Sequence, residues 1–292
     1  MAHRVCDPRE LAGGSIPAVT DVHHFAYGAI NPIFAYVVSF LGFLLGLVFA
    51  ARSREVVGAA RARWLVLAAV SFGSAGIWVM HMLAMLGFDV PATTIRYDLF
   101  LVALSFVFAV GVLTAGLFLS GLGRPSIGRT LVGGAITGSG IAVMHYTGMA
   151  AVHLGGVIVY DTRRVGLSVL LAVVASTVLL WFSVSIRGAS GTVIAALIAA
   201  AAVCSVHYVA MTAVQVRLDE STSPVEGMSP ALLLVPIFVV AGVVISTLAY
   251  CTVGISIRRD TIRAEAKLAN RWWPHTVGRV RASVTVPIRR RH

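Results

Sequence analysis

Residues 130–152 read TLVGGAITGSGIAVMHYTGMAAV and contain no Asp, Glu, Lys or Arg. A helix of this length rises about 34 Å, at roughly 1.5 Å per residue. The hydrocarbon core of a bilayer is about 30 Å thick, so the stretch predicts a transmembrane helix. Its five glycines favour close packing against neighbouring helices, and one histidine, His145, lies near its C-terminal end.

Six further stretches are equally free of charged residues and predict six more transmembrane helices. The chain of 292 residues is 58% hydrophobic and only 12% charged, and its mean hydropathy of +0.89 is far above that of a soluble domain. We therefore expect an all-α, multi-pass protein of the plasma membrane that leaves little chain for a soluble catalytic domain. The seven predicted spans are 32–51, 64–86, 99–120, 130–152, 165–186, 192–214 and 231–251.

The distribution of basic residues predicts the orientation. The loops 52–63, 121–129 and 187–191 and the C-terminal tail hold 17 Lys and Arg residues, against 6 in the other segments. Because cytoplasmic loops carry the excess, we expect the N-terminus outside and the C-terminus inside, with the first span as targeting signal. The predicted parts are an extracytoplasmic segment 1–30, a domain 31–218, an outer loop with the seventh span 219–252, and a basic cytoplasmic tail 253–292. That tail is expected either to lie on the membrane or to be solvated.

A motif recurs near the outer end of every even-numbered span. His81, His145 and His207 are each followed four residues later by a methionine, which indicates three degenerate two-helix repeats plus a seventh helix. Position i+4 lies one turn along the same helix face, so each imidazole and thioether point toward one place. The candidate metal ligands, including the methionines that precede two of the histidines, are Met80, His81, Met85, Met144, His145, Met149, His207 and Met211.

This donor set favours copper. Imidazole with thioether suits copper, above all Cu(I), and ionisable residues inside spans usually mark a function. The alternative is structural: buried histidines that bond neighbouring helices, with methionine as filler. Four further residues are open as additional ligands, namely His23, His24, His153 and Cys204.

The central copy also carries a family resemblance. Residues 144–147 (MHYT) resemble the signature of the MHYT domain, and residues 76–81 (GIWVMH) and 206–208 (VHY) resemble its degenerate first and third copies. The resemblance covers spans 1–6 and implies a bacterial membrane sensor. Its Met and His residues near the outer face are proposed to bind copper and so to sense oxygen, carbon monoxide or nitric oxide.

The resemblance also shapes the expected output. MHYT proteins often continue into a diguanylate cyclase, a phosphodiesterase or a histidine kinase, whereas this sequence continues into a basic tail. We therefore expect no enzymatic activity and no nucleic-acid partner. Any signal is expected to pass through an unknown cytoplasmic signalling partner, the membrane surface or the tail itself.

Two other functions stay open at this point. A copper carrier is one, although the spans lack the acidic residues that proton-coupled transport normally uses. Haem ligation by two of the three histidines is the other. A retinal protein is disfavoured because the only lysine, Lys267, lies in the tail.

Overall fold

The computed structural model describes residues 19–20, 23, 26, 28–91, 93–123, 126–218 and 224–250. In this part of the chain, seven helices are long and apolar enough to cross a membrane, which confirms the all-α multi-pass architecture. They are α1 (Ile30–Ser53), α2 (Gly58–Leu86), α3 (Leu99–Gly121), α4 (Ile127–Ala150), α5 (Thr162–Ser185), α6 (Ala189–Met211) and α7 (Pro230–Tyr250).

The helix ends differ from the predicted spans where chemistry other than hydropathy decides them. Helix α2 begins at Gly58, six residues before the predicted start. The prediction ended the span at the first charged residue, but a charged residue is excluded only from the apolar core of the bilayer and can still belong to the helix. Helices α3 and α5 begin after Asp98 and Asp161, whose carboxylates accept hydrogen bonds from backbone N–H groups of the first turn. Such caps satisfy donors that a helix start leaves unpaired.

Helices α1 to α6 form a closed ring. Each helix packs against the next along the chain, and α6 packs back against α1. The three helices that carry the repeated motif, α2, α4 and α6, therefore occupy alternate positions of the ring. Large apolar side chains such as Ile33, Phe100 and Leu170 are exposed on the helices, as a lipid-facing surface requires.

The last helix spans the boundary between two compact units. Residues up to Val244 belong to the first unit and residues 245–250 to the second. Within the first unit, α7 buries Leu233 and Ile237. His24, most of the N-terminal segment and the basic tail lie outside the described residues.

Helix α2 contains an eight-residue π-helical segment, Phe72–Val79, directly before Met80 and His81. All residues of the segment are buried. The Ser39 hydroxyl of α1 donates to the carbonyl of Gly76, 2.6 Å away. A Cβ on Gly42 would lie 2.3 Å from the backbone nitrogen of Gly76, so glycine is required for this close approach of α1 and α2. Short π segments occur frequently at functional sites.

Short strands connect the helices at one end of the bundle. β5 (Val214–Leu218) pairs antiparallel with β1 (Val19–Thr20) and with β4 (Gly156–Tyr160), and β2 (Arg96–Tyr97) pairs with β3 (Val152–His153). The predicted spans 130–152 and 192–214 are therefore too long at their ends, since Val152 and Val214 belong to strands. We call the end of the bundle that carries these strands the histidine end. The opposite end, with connections 54–57, 122–126 and 186–188, is called the short-loop end.

Candidate metal centre

Three buried histidines from three helices meet in the bundle. His81 of α2, His145 of α4 and His207 of α6 are 1%, 6% and 3% exposed. Their ring centroids are 4.8 to 5.2 Å apart, and one nitrogen from each ring lies within 4.8 Å of the other two. The repeat therefore brings one imidazole per helix pair to a common point.

The polar atoms of this cluster have few protein partners. The Nδ1 atoms of His81 and His207 are 3.1 Å apart, so one ring donates a hydrogen bond to the other. The Nε2 atoms of His81 and His145 are buried without a hydrogen-bond partner in the described part of the chain. Burying a polar atom without a partner is costly, and a bound ion would remove that cost.

A cavity of about 30 Å³ adjoins the three rings. The residues that line the cavity repeat at the same offsets from the three histidines. At one residue before each histidine stand Met80, Met144 and Val206, and at four residues before each histidine stand Ile77, Ile141 and Val203. All six line the cavity. Apart from the histidines and a few hydroxyls, the walls are apolar, so polar ligands in this space come chiefly from the imidazoles.

The two sets of predicted methionines occupy different places. Met80 and Met144 line the cavity beside the histidines. Met85, Met149 and Met211 are each at most 3% exposed and do not line the cavity. They lie one helical turn further toward the histidine end, because a residue at i+4 follows one turn later on the same face.

Gly148 permits the close approach of α2 and α4 at the site. A Cβ at this position would lie 2.4 Å from Nε2 of His81 and 3.3 Å from the terminal methyl of Met82. The glycine of the sequence MHYTGM therefore has a steric function: it leaves the space that the ring of His81 occupies.

Two tyrosines pack edge-on against the histidines that precede them. The Tyr146 and His145 ring centroids are 4.9 Å apart, and those of Tyr208 and His207 are 5.1 Å apart. The hydroxyls of Tyr146 and Ser168 are 2.9 Å apart, and Ser168 donates to the carbonyl of Val165, so Tyr146 is the donor to Ser168. These two hydrogen bonds hold the ring of Tyr146 next to His145.

A third tyrosine extends this aromatic contact to the strands. The rings of Tyr146 and Tyr160 meet edge-to-face, with centroids 5.4 Å apart. Burial, with a smaller contribution from Tyr146, raises the pKa of Tyr160 to about 12.

The other predicted ligands lie away from the cluster. His23 forms a backbone bridge with Asp89, and the exposed His153 is 3.2 Å from the carbonyl of Glu226 through Nδ1. Cys204 is half-buried and reduced and does not join the three histidines that could hold a metal ion in the described residues. His24 lies outside the described residues.

Sequence reasoning included Gly148 among the close-packing glycines but missed its contact with His81, and it missed Ser168 and three apolar positions that line the cavity. The apolar positions carry a detectable signal, since Ile77, Ile141 and Val203 stand at the same offset from their histidines. Ser168 has no such repeat and is found only through its contact with Tyr146.

The histidines fit a metal ion. Three nitrogens that each bind one ion at about 2.0–2.1 Å are roughly 3.3–3.6 Å apart. The Nδ1 atoms of His81 and His207, 3.1 Å apart, are slightly closer than this spacing, and one nitrogen from each ring lies within 4.8 Å of the other two. Ring movements of roughly 1 Å therefore bring three nitrogens to the spacing that one ion requires. Imidazole nitrogens and the neighbouring thioethers suit a soft or borderline metal.

Comparison with known proteins connects this arrangement to bacterial signalling. The family described as "Bacterial signalling protein N terminal repeat" (MHYT) matches residues 75–134 and 138–199. MucR of Pseudomonas aeruginosa, a bifunctional diguanylate cyclase/cyclic di-GMP phosphodiesterase, is 34% identical over 198 residues, 66% of this chain and 29% of MucR. NbdA of the same organism, a cyclic di-GMP phosphodiesterase, is 32% identical over 165 residues, 54% of this chain and 21% of NbdA.

A third relative is similar over more of the chain. An uncharacterized signaling protein of Caulobacter vibrioides is 25% identical over 221 residues, 75% of this chain and 27% of that protein. The chain thus spans between 21% and 29% of the length of these relatives. No solved structure matches it.

Fold and site together define a multi-pass membrane protein in which a two-helix repeat contributes one buried histidine each time. The two segments that match the family contain His81 and His145, respectively. The chain belongs to the MHYT-domain family of bacterial membrane signalling proteins, and its role is in membrane signalling. The third copy, with His207, lies beyond the matched residues and is assigned by its spacing and by its place in the cluster.

Proposed function

We propose that His81, His145 and His207 bind one copper ion and that this ion is the sensing element of the protein. The convergence of three buried imidazoles from alternate helices, two of them with an unpartnered nitrogen, is the observation that carries the proposal. When bound, copper supplies a redox change and an open coordination position for a small ligand.

The methionines favour copper over zinc. Met80 and Met144 place thioethers on the cavity wall beside the histidines. Thioethers select Cu(I), whereas zinc prefers imidazole, thiolate and carboxylate. The protein holds the ligands in an apolar environment, and Tyr146 and Gly148 position two of the rings.

The size of the cavity supports a diatomic ligand. A cavity needs about 10–15 Å³ to hold a water molecule, so about 30 Å³ accepts oxygen, carbon monoxide or nitric oxide. A porphyrin is far larger than this space. The geometry therefore favours copper with a gas ligand over haem.

The relatives suggest where the signal goes. The printed names of MucR and NbdA describe enzymes that make or degrade cyclic di-GMP, and this chain aligns with less than a third of either protein. We infer that the seven-helix domain regulates turnover of this nucleotide.

Metal analysis of the purified protein tests the copper site. After anaerobic loading with Cu(I), we expect one copper per chain in the wild type and none in the triple variant His81→Ala/His145→Ala/His207→Ala. His153→Ala is the matched control, because this exposed histidine lies outside the cluster, and it should retain full copper. Full copper in the triple variant would show that the histidines only pack.

Two further measurements separate the alternative functions. Carbon monoxide should give an infrared band of a copper carbonyl in the wild type, and a strong Soret band in protein purified from cells would instead favour haem. A copper carrier should raise copper uptake into whole cells, whereas a sensor should leave uptake unchanged.

A further inference from the structure

A second cavity lies at the short-loop end, where the three repeats meet again. Its volume is about 40 Å³, and we call it the arginine pocket. The first repeat contributes Arg54 and Arg61, the second Ser120 and the third Ser183, while Leu65 and Leu117 supply apolar walls. The pocket is thus the counterpart of the histidine cluster at the other end of the helices.

Two hydrogen-bond donors of the pocket have no partner. Nε of Arg61 and Oγ of Ser120 are buried without a hydrogen bond in the described part of the chain, and Ser120 is only 4% exposed. An unpartnered buried donor costs about 1–3 kcal/mol, and more when it is charged. Both donors line the same cavity, so a single acceptor group can satisfy both.

The second arginine adds positive charge to the same space. Arg54 donates to the carbonyls of Ser183 and Ile186 at the end of α5. A guanidinium has five N–H donors, so further donors remain for a ligand. Burial first, and then the neighbouring Arg187, lower the pKa of Arg54. An anion in the pocket would counteract both effects.

No acidic side chain lines the pocket in the described residues. The nearby Glu55 is exposed and pairs at 2.8 Å with Arg52 on the surface. The two arginines therefore lack a carboxylate partner inside the cavity. Two arginines and a hydroxyl donor, with no carboxylate lining the cavity, form a donor set that recognises phosphate oxygens.

We propose that the arginine pocket binds a phosphate group, with Arg61, Arg54 and Ser120 as its ligands. The source is either the headgroup of an anionic phospholipid or a phosphate compound in solution, since the pocket lies at the ends of the membrane-spanning helices. The cavity accommodates about three water-sized groups, at 10–15 Å³ each, which suits a phosphoryl group.

Thermal unfolding of the full chain in a maltoside detergent tests the proposal. Inorganic phosphate, titrated against chloride at equal ionic strength, should raise the Tm of the wild type, as any ligand of the native state does. Dioctanoyl phosphatidylglycerol should do the same if the natural ligand is a lipid, with dioctanoylglycerol as the control without phosphate. Stabilisation by phosphate alone would identify a soluble ligand.

The variants decide whether the effect comes from the pocket. Arg61→Gln should raise the half-saturating phosphate concentration about tenfold or more, because it removes a charge-assisted bond. Arg63→Gln, an exposed arginine two residues further on the same helix, carries the same charge change and should behave like the wild type. Ser120→Ala leaves all charges in place and should weaken binding about two- to tenfold.

Two results would overturn the proposal. One is the absence of stabilisation by both phosphate and phosphatidylglycerol in the wild type. The other is an equal response of Arg61→Gln and Arg63→Gln. If Arg61→Gln does not fold, the proposal is overturned when phosphate stabilises Ser120→Ala at the same concentrations as the wild type.

Discussion

Gly148→Ala should disrupt the proposed copper site without unfolding the bundle. The added Cβ would lie 2.4 Å from Nε2 of His81, whereas ordinary contacts begin at 3.4 Å. The ring must therefore move by about 1 Å, at a position where the rings of His145 and His207 confine it. Misplacing one ligand in this way should weaken copper binding about 10- to 100-fold, the range observed when groups that orient metal ligands are lost.

A matched control separates the steric effect from a general effect of alanine in a helix. Gly111→Ala on α3 makes the same substitution where the new Cβ meets no atom within 4 Å. Replacing an interior helix glycine with alanine stabilises by roughly 0.5–1 kcal/mol where space permits. Gly111→Ala should thus bind copper normally and unfold at or above the wild-type temperature.

Competition with a Cu(I) chelator measures the affinity of both variants, and thermal unfolding in the same detergent checks their folding. The reasoning is refuted if Gly148→Ala folds and binds copper with wild-type affinity. It is also refuted if Gly111→Ala loses as much affinity as Gly148→Ala.

Three further predictions use the same purified protein. Val206→Met should tighten Cu(I) binding, because Val206 occupies the cavity position that methionine fills in the other two copies; an unchanged affinity would show that this position does not contact the ion. Met80→Leu combined with Met144→Leu should lower Cu(I) affinity and leave zinc affinity unchanged, and equal losses for both metals would contradict a thioether role. In a cysteine-free background, Val157→Cys should react with an impermeant label from outside intact cells and Val57→Cys should not; both valines are exposed, and the reverse pattern would invert the topology.

Hydropathy and spacing sufficed to predict the architecture and the cluster. Each span needs only an apolar stretch of sufficient length, and that property is local in sequence. The meeting of the three histidines was also predictable, because a repeated helix pair places equivalent residues at equivalent depths. The structure brings all three within reach of one ion.

The details that depend on helix rotation and backbone contact were not predictable from spacing. An ideal helix places residues i and i+4 on one face, and this rule does not say which of two methionines faces a cavity. The π segment Phe72–Val79 alters the geometry just before His81 and has no local sequence signature.

One of the strands does have a sequence signature. The run GVIVY at residues 156–160 is rich in β-branched residues, which favour strands.

The threefold construction links the two ends of the bundle. Each repeat supplies one imidazole, so an ion bound by all three would hold α2, α4 and α6 together at the histidine end. The two helices of each repeat are joined at the short-loop end by connections of only a few residues. At that end Arg54 of the first repeat donates to carbonyls of the third, and the arginine pocket lies between all three repeats. If a change in spacing at the histidines also altered this junction, the ion and a ligand in the arginine pocket would each change the other's affinity by the same factor, because coupling between two sites is reciprocal.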